Sequence, residues 1–228
     1  MFTIPRKSLA SRMQEVRTLL SYIQAAESRE TPPLDSNEVK IIRGLFFVHL
    51  YGAFEKSVNE GLEIYLQKIN TLRVSVAHAA PGFLPTILAP EFTSLGNANA
   101  WNGRVRLIKK MESVEIVKVN NTIFEMLMQN ARPKRLTEIA QYLGISDSIS
   151  PDTRDLLYLD EVVEKRNQVA HGRASPLRVG GSGRSNDLRD RYDAVNRVLN
   201  SFLDLLEKNF DGLFFLKEDE RQQYITFV

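Results

Sequence analysis

The sequence DLLYLDEVVEKRNQVAHGRAS, residues 155–175, is the stretch around which the chain is organised. Its apolar residues recur at the three-and-four spacing of an amphipathic helix: Leu156, Leu159, Val163 and Ala170. This spacing predicts that one face of the helix packs against a core. Arg166 falls on the same stripe, where a guanidinium is costly to bury unless a partner or a ligand takes up its donors.

Three polar residues at the end of this helix are candidates for a functional site. Asn167 and His171 lie four apart, so their side chains leave the helix on one side, next to Arg166. Gly172 should end the helix, because glycine is the usual residue just past a helix C-terminus. We therefore predict an Arg, an Asn and a His at one helix C-terminus, beside a mobile segment rich in glycine and arginine at 178–184.

Two helices are predicted before this stretch. The first, 8–30, has a single apolar face formed by Leu9, Met13, Val16, Leu20 and Ile23. The second, 36–75, should begin with a capping box of Asp35 and Glu38 and is apolar on nearly every side over 41–54, which places it at the centre. Gly44 and Gly52 within it predict close approach of neighbouring backbones. Glu55 follows Tyr51 by one turn, and it is either solvated or salt-bridged, or a supporting partner of Arg166.

Prolines interrupt the segment after the second helix. Short helices are predicted at 104–113, 121–130 and 135–143, with a short strand at 114–119. A last long helix is predicted at 188–210, with a core face of Tyr192, Val195, Leu199, Phe202 and Leu206. The tail beyond it either caps the bundle or pairs elsewhere. The fold class predicted is all-α.

Composition limits the possible functions. The chain has 228 residues, 43% of them hydrophobic, and a net charge of +2 from 30 basic and 28 acidic side chains, so any anion-binding surface must be local. The absence of cysteine excludes thiol catalysis and disulfides, and no metal-ligand cluster or cofactor motif is visible. No signal core or membrane-spanning run is present, so we expect a soluble, cytoplasmic protein.

The residues 166–171, RNQVAH, resemble the motif of the HEPN superfamily, whose ribonuclease members carry an Arg, four to six residues, and a His, commonly with Asn directly after the Arg. The bare spacing is weak evidence, because Arg43 and His49 also satisfy it, as do Arg73 and His78. Context separates His171: Asn follows the Arg and Gly follows the His. We interpret His49 as a core histidine, and we expect His78 at the frayed end of a helix.

The resemblance extends over residues 8–210. The stretch 46–56, FFVHLYGAFEK, is similar to the long second helix of small stand-alone HEPN proteins, which carry a Tyr and a Glu one turn apart, here Tyr51 and Glu55. The resemblance implies a single HEPN-like domain, 1–228, with a core at 8–80 and 121–210, an insertion at 81–120 and a tail at 211–228. The insertion lies between the second helix and the motif helix.

The resemblance also implies metal-independent RNA cleavage at a composite site in a homodimer, by a toxin or defence ribonuclease with a possible antitoxin or second protein of the same operon. His171 can exchange protons near neutral pH, and Arg166 suits phosphate oxygens. Asn167 would orient the His171 ring or a phosphate. Cleavage by 2′-hydroxyl attack would leave 2′,3′-cyclic phosphate ends. Three arginines would steer RNA, although each is also an ordinary surface residue: Arg173, Arg178 and Arg184.

Other interpretations remain open. One alternative is that residues 166–171 form only a structural helix end, with Arg166 in a buried ion pair and His171 at the negative end of the helix dipole. The alternative function is that of a non-catalytic HEPN module that binds RNA or serves as an antitoxin or scaffold. Residues 136–145 superficially match the first half of a helix-turn-helix, but the acidic, turn-forming residues 146–152 follow instead of a basic recognition helix.

Overall fold

The computed structural model describes residues 3–95, 101–129 and 131–225. Regular structure in these ranges is helical, and extended segments make only isolated β-bridges, so the all-α prediction is confirmed. In chain order the helices are α1 (Thr3–Ala26), α2 (Asn37–Thr71), α3 (Leu84–Ile87), α4 (Ala89–Ser94), α5 (Trp101–Met111), α6 (Glu125–Met128), α7 (Pro133–Tyr142), α8 (Thr153–Ala170), α9 (Pro176–Gly180) and α10 (Ser185–Asp211). Two short 3-10 helices span Val76–His78 and Glu218–Gln223.

Helix α2 lies at the centre, as its all-round apolar sequence predicts. It packs against α1, α8, α9 and α10, and α8 also packs against α10. All five apolar residues predicted to form the inner face of α1 are buried. On α10 the predicted core face is buried except for Tyr192, which is half-buried. The apolar spacing therefore identified the helices that form the core and the faces that they bury.

The start of α2 corrects the predicted capping box by one residue. Ser36 is the N-cap, and its side chain accepts a hydrogen bond from the Val39 N–H at 3.4 Å. Asp35 instead accepts from the Ser28 N–H at 2.8 Å and pairs with the guanidinium of Arg43. The carboxylate is thus used in a tertiary ion pair, and the hydroxyl next to it caps the helix.

The glycine-rich segment after the motif packs tightly, contrary to the prediction of a mobile loop. Its first three residues belong to α9, and Gly180 is buried against α2, where a Cβ would lie 1.8 Å from the Lys40 carbonyl oxygen. A Cβ on Gly44 would lie 2.1 Å from the Pro176 carbonyl oxygen, which confirms the close approach predicted there. The same prediction is wrong for Gly52, because no atom lies within 4 Å of a Cβ built on it.

The region between α2 and α8 differs from its predicted elements. The strand predicted at 114–119 is an extended segment with one antiparallel bridge, Ile116 to Ser75. The predicted helix 121–130 shortens to the single turn of α6, and residue 130 lies outside the described ranges. Helices α5 and α7 form close to their predicted positions. After α7 ten residues precede α8, so the short turn of a helix-turn-helix is missing here.

The C-terminal tail pairs with the segment that follows α2, which decides between the two alternatives for it. Ala79 and Leu216 form an antiparallel bridge, and the Lys217 N–H donates to the His78 carbonyl at 2.9 Å. Phe215 is buried against the core aromatics. The structure describes the tail as far as residue 225. Within the described ranges no helix is both long and apolar enough to cross a bilayer.

Candidate active site

Helix α8 is held in place at its N-terminal end by an ion pair between the buried Asp155 and the exposed Arg197. The Asp152 carboxylate caps the helix by accepting from the Arg154 N–H at 2.8 Å. One turn on, the buried Asp155 accepts two hydrogen bonds from Arg197 of α10, at 2.9 and 2.6 Å. Such a paired geometry fixes both distance and orientation. The rotation of α8 about its axis, and with it the direction of its C-terminal side chains, is therefore set by α10.

The inward face of α8 is rotated relative to the predicted stripe. Leu159 and Val163 are buried as predicted, together with Val162. Leu156 is only half-buried, and Ala170 is exposed, so the prediction is wrong for the C-terminal end of the stripe. The helix thus leaves the core in its last turn, which brings its polar residues to the surface.

The helix ends as predicted at the motif histidine. His171 is the C-cap, and its N–H donates to the Asn167 carbonyl at 3.1 Å. Gly172 follows with φ of +66°, a conformation that costs glycine little and strains other residues. The Ala174 N–H then bonds back to the Gln168 carbonyl at 3.1 Å. The side chain of His171 is exposed at the C-terminal end of the helix.

Arg166 is half-buried and stacked on an aromatic ring. Its guanidinium carbon lies 4.4 Å from the centroid of the Tyr51 ring, within the range of a cation–π interaction. One terminal nitrogen of Arg166 donates to Asn167 Oδ1 at 2.8 Å. The structure thus places Asn167 as a support for the guanidinium, whereas the sequence interpretation assigned it to the His171 ring or to a phosphate. A stacked and hydrogen-bonded guanidinium has little rotamer freedom to lose when it binds an anion.

Tyr51 is itself fixed by the segment between α6 and α7. Its ring is buried, its hydroxyl donates to the Met128 carbonyl at 3.2 Å, and the same hydroxyl accepts from the Ala131 N–H at 2.9 Å. The backbone of Met128 and Ala131 therefore fixes the ring that stacks on Arg166. No local sequence pattern predicts these hydrogen bonds, because they join backbone atoms to a side chain about eighty residues away in the chain.

Glu55 lies one turn after Tyr51 and responds to the charge of Arg166. Burial raises the pKa of Glu55 above its ordinary value, while the positive charge of Arg166 opposes that rise without cancelling it. The carboxyl group is half-buried, so it is neither a solvated surface group nor part of a buried ion pair. Glu55 is thus a neighbour of the Arg166 site, with a proton that is held more tightly than on an ordinary glutamate.

Two of the three predicted RNA-steering arginines lie together. Arg173 and Arg178 line a groove of about 410 Å³ along α8, with Lys165, Gln168 and Glu164 also in its wall. Arg184 lies elsewhere: it donates to the Ser28 carbonyl at 2.6 Å and approaches the carboxylates of Glu27 and Asp35 at 3.5 Å. The structure therefore brings Arg173 and Arg178 to the motif helix. It places Arg184 away from that helix, near Glu27 and Asp35.

Arg132 is a further cation at α8 that the sequence did not single out. It pairs with Asp160 at 2.8 Å and with Glu164 at 2.7 Å. The hydrogen bond from Arg132 is the main cause that lowers the pKa of Glu164. These carboxylates lie one turn apart on the helix that carries Asn167 and His171. No pattern could have found Arg132, because its position depends on the path of the chain between α6 and α7.

The other two histidines have different surroundings. His49 lies on α2 and is half-buried, so its interpretation as a core histidine is wrong. His78 contacts the C-terminal tail: its ring nitrogens lie 2.9 Å from the Tyr224 hydroxyl and 3.5 Å from a Glu220 oxygen. In the described ranges no group of three or more His, Cys, Asp or Glu side chains could hold a metal ion.

Comparison with known proteins agrees with the motif. The family model described as RiboL-PSP-HEPN matches residues 7–208, which is most of the chain and includes α2, α8 and nearly all of α1 and α10. No curated protein and no solved structure matches significantly. The HEPN superfamily includes ribonucleases, so an RNA-related activity is the coarse expectation for this fold. The chain belongs to the RiboL-PSP-HEPN family.

Proposed function

We propose that the protein is a metal-independent endoribonuclease whose site is formed by Arg166, Asn167 and His171. One observation carries the proposal: a guanidinium held by a ring and an amide lies one turn before an exposed histidine at a helix C-terminus. The guanidinium suits the oxygens of a phosphodiester, and an imidazole can exchange protons near neutral pH. The groove with Arg173 and Arg178 supplies positive charge for the neighbouring phosphates.

The proposed reaction is an internal transfer within RNA. A base removes the proton of the 2′-hydroxyl, the 2′-oxygen attacks the adjacent phosphorus, and the bond from phosphorus to the 5′-oxygen breaks. An acid protonates the departing 5′-oxygen, which leaves a 2′,3′-cyclic phosphate and a 5′-hydroxyl. Arg166 stabilises the charge that builds up on the phosphate oxygens. Tyr51 and Asn167 act through Arg166 as positioning residues.

The two proton transfers favour a composite site in a homodimer. Each chain offers one histidine at the motif, and two copies facing one cleft would supply a base and an acid. Helix α2 has an outward stripe beside Tyr51 that suits a second copy, formed at i, i+4, i+7 and i+11 by Ile41, Leu45, Val48 and Gly52. Ile41 and Leu45 are 38% and 44% exposed, and the space above Gly52 is open. We propose this stripe as part of the dimer interface.

The biological setting that we propose is a toxin or defence system with a cognate antitoxin. This part of the proposal is supported by the family resemblance. Expression of the wild-type chain in a bacterial host should arrest growth and degrade RNA, whereas expression of His171→Ala should do neither. Equal growth of both strains would leave the ribonuclease assignment intact and contradict the toxin assignment.

Cleavage of RNA in the presence of a chelator is the decisive experiment. We expect wild-type protein to cut RNA in EDTA and to leave 2′,3′-cyclic ends, and His171→Ala and Arg166→Ala to be roughly 10²–10⁴-fold slower. Arg189→Ala is the matched control, because Arg189 is an exposed arginine that donates to Gln24, and it should retain activity. Equal rates in His171→Ala and wild type, with matched circular dichroism, would contradict the site. RNA binding without cleavage by pure wild-type protein would favour a non-catalytic HEPN module.

Mixing active and inactive chains tests the composite site. If both histidines of a dimer are required, activity per wild-type chain should fall as the fraction of His171→Ala chains rises and heterodimers form. Leu45→Glu, on the outward stripe of α2, should yield monomers by light scattering and lower the activity. Activity strictly proportional to the amount of wild-type chain would contradict a composite site.

A further inference from the structure

Helix α5 already uses one of its faces inside the domain. Leu107 is buried, and a Cβ on Gly103 would lie 2.8 Å from Cδ2 of Leu95, so α5 packs closely against the end of α4. On the same side the Lys110 ammonium pairs with Glu91. Residues 103, 107 and 110 follow the three-and-four spacing of one helix face. This inner face is sufficient to attach α5 to the domain.

The opposite side of α5 carries a second apolar stripe. Trp101 is 75% exposed, Val105 is 53% exposed and Ile108 is 58% exposed. Their spacing of i, i+4 and i+7 places the three side chains on one side of the helix. We call these three residues the Trp101 face. Single exposed apolar residues are ordinary, whereas three neighbouring ones on one helix face form a patch of the kind found at interaction sites.

The Trp101 face is bordered by positive charge. The Arg104 guanidinium lies 4.8 Å from the centroid of the Trp101 ring and covers one flank, and helical geometry places Lys109 on the other flank. Helix α5 contains four basic residues, Arg104, Arg106, Lys109 and Lys110, and no acidic one. A ligand that fits this face must therefore combine apolar side chains with negative charge on both flanks.

We infer that the Trp101 face is the docking site for an acidic amphipathic segment of a partner protein. Tryptophan and arginine are the residue types that contribute most often to the energy of protein interfaces. An acidic segment would place its apolar residues on Val105 and Ile108 and its carboxylates on Arg104 and Lys109. This inference concerns α5, which packs on α4 and the 3-10 helix Val76–His78, and it does not depend on the proposed ribonuclease activity.

Three other occupants fit less well. A second copy of α5 would bring two sets of like charges together across a two-fold axis. Single-stranded RNA would stack on Trp101, but Val105 and Ile108 are aliphatic and offer no ring on which successive bases could stack. A membrane surface would take up a helix with a broad apolar face, whereas eleven residues with three exposed apolar side chains present a narrow one.

The test uses Trp101 as its own reporter, because the chain contains one tryptophan. The probe is a synthetic amphipathic helical peptide with leucine on one face and glutamate on both flanks. We expect it to shift the tryptophan emission of the full chain to shorter wavelengths with a Kd in roughly the micromolar range, more weakly at high salt. A matched peptide with lysine in place of glutamate should leave the emission unchanged.

Variants separate docking from a general effect on the fold. Val105→Glu and Ile108→Glu should weaken binding of the acidic peptide roughly ten-fold or more, because they place carboxylates on the apolar stripe. Leu157→Glu, at an exposed leucine on α8, is the matched control and should bind as wild type. No emission shift with the acidic peptide, or an equal shift with the lysine peptide, would overturn the inference. So would a shift caused by single-stranded RNA, by phosphatidylserine vesicles or by higher protein concentration alone.

Discussion

Arg43 and Arg166 have nearly the same place in the sequence and opposite surroundings in the structure. Each precedes a histidine by five or six residues: Arg43 precedes His49, and Arg166 precedes His171. Arg43 is 2% exposed, and the carboxylates of Glu27 and Asp35 hold it. It also donates to the Gly183 carbonyl at 3.0 Å. Arg43 therefore joins α1, α2 and the segment before α10 into one unit.

Arg166 is half-buried at the surface end of α8, with a tyrosine ring and an amide as its described supports. The neighbouring carboxyl group, Glu55, has a pKa that burial raises above its ordinary value. An arginine and a histidine at this spacing therefore do not by themselves define a catalytic site. What distinguishes the two is whether carboxylates neutralise the guanidinium in the interior or neutral groups orient it at the surface.

The largest expected effect is on stability, at Arg43. Arg43→Ala removes the nearest cation from the buried Glu27 and Asp35 and leaves them only Arg184, at 3.5 Å. This loss should lower the free energy of unfolding by about 3–5 kcal/mol. Arg166→Ala should lower it by less than about 1 kcal/mol, because Arg166 is half-buried and lies outside the packed core. Urea unfolding followed by circular dichroism measures both. Equal losses in the two variants would contradict the distinction between a structural and a functional arginine.

A smaller effect separates the two roles of Tyr51. Tyr51→Phe keeps the ring under Arg166 but leaves the Ala131 N–H and the Met128 carbonyl without their partner, at a cost of about 1–3 kcal/mol in stability. Tyr51→Leu also removes the ring. RNA cleavage should therefore fall much further in Tyr51→Leu than in Tyr51→Phe, at temperatures where both variants are folded. Equal cleavage by the two variants would show that the stack on Arg166 does not matter.

The pH dependence of Arg43's ion pair has a defined sign. Burial pushes the pKa of Asp35 up, but hydrogen bonds from Arg43 and the Ser28 N–H lower it below the ordinary value of 3.8. A carboxyl group whose pKa is lowered by folding contributes stability above that ordinary value and loses it as the pH falls. The stability difference between wild type and Asp35→Asn should therefore narrow below pH 3.8. A constant difference in urea unfolding across this range would refute the assignment.

Glu55 should show the opposite sign and the smallest effect. Its pKa is raised by burial, so the folded state holds the proton longer than the unfolded state, and stability declines as the pH rises from the ordinary value of 4.5 through the folded pKa. Glu55→Gln cannot lose a proton, so it should lack this decline. The free energy of unfolding of Glu55→Gln should therefore increase relative to that of wild type as the pH rises through that window. If the free energy of unfolding of wild type increases relative to the variant instead, an attractive pairing of Glu55 with Arg166 dominates.

Much of the fold follows from local sequence patterns and was therefore predictable. The apolar spacing located α1, α2, α8 and α10, because a helix that buries one face must repeat apolar residues every three or four positions. Gly172 predicted the end of α8, since its positive φ is a local property of the backbone. The predictions failed where the sequence left several partners possible. The sequence pattern predicted Asp35 as the cap of α2, but Asp35 pairs with Arg43 instead.

Sequence patterns alone were enough to predict the long helices, the position of Arg166 and His171 at a helix end, and the resemblance to a HEPN domain. Tertiary packing was needed to show that Arg43 is buried while Arg166 is half-buried, that Tyr51 stacks on Arg166, and that Arg184 lies away from the motif helix. The physical reason is distance along the chain. Helix periodicity acts over a few residues, whereas the Tyr51–Arg166 stack and the Arg184–Ser28 hydrogen bond join groups more than a hundred residues apart. Many pairings satisfy the same sequence pattern until the helices pack.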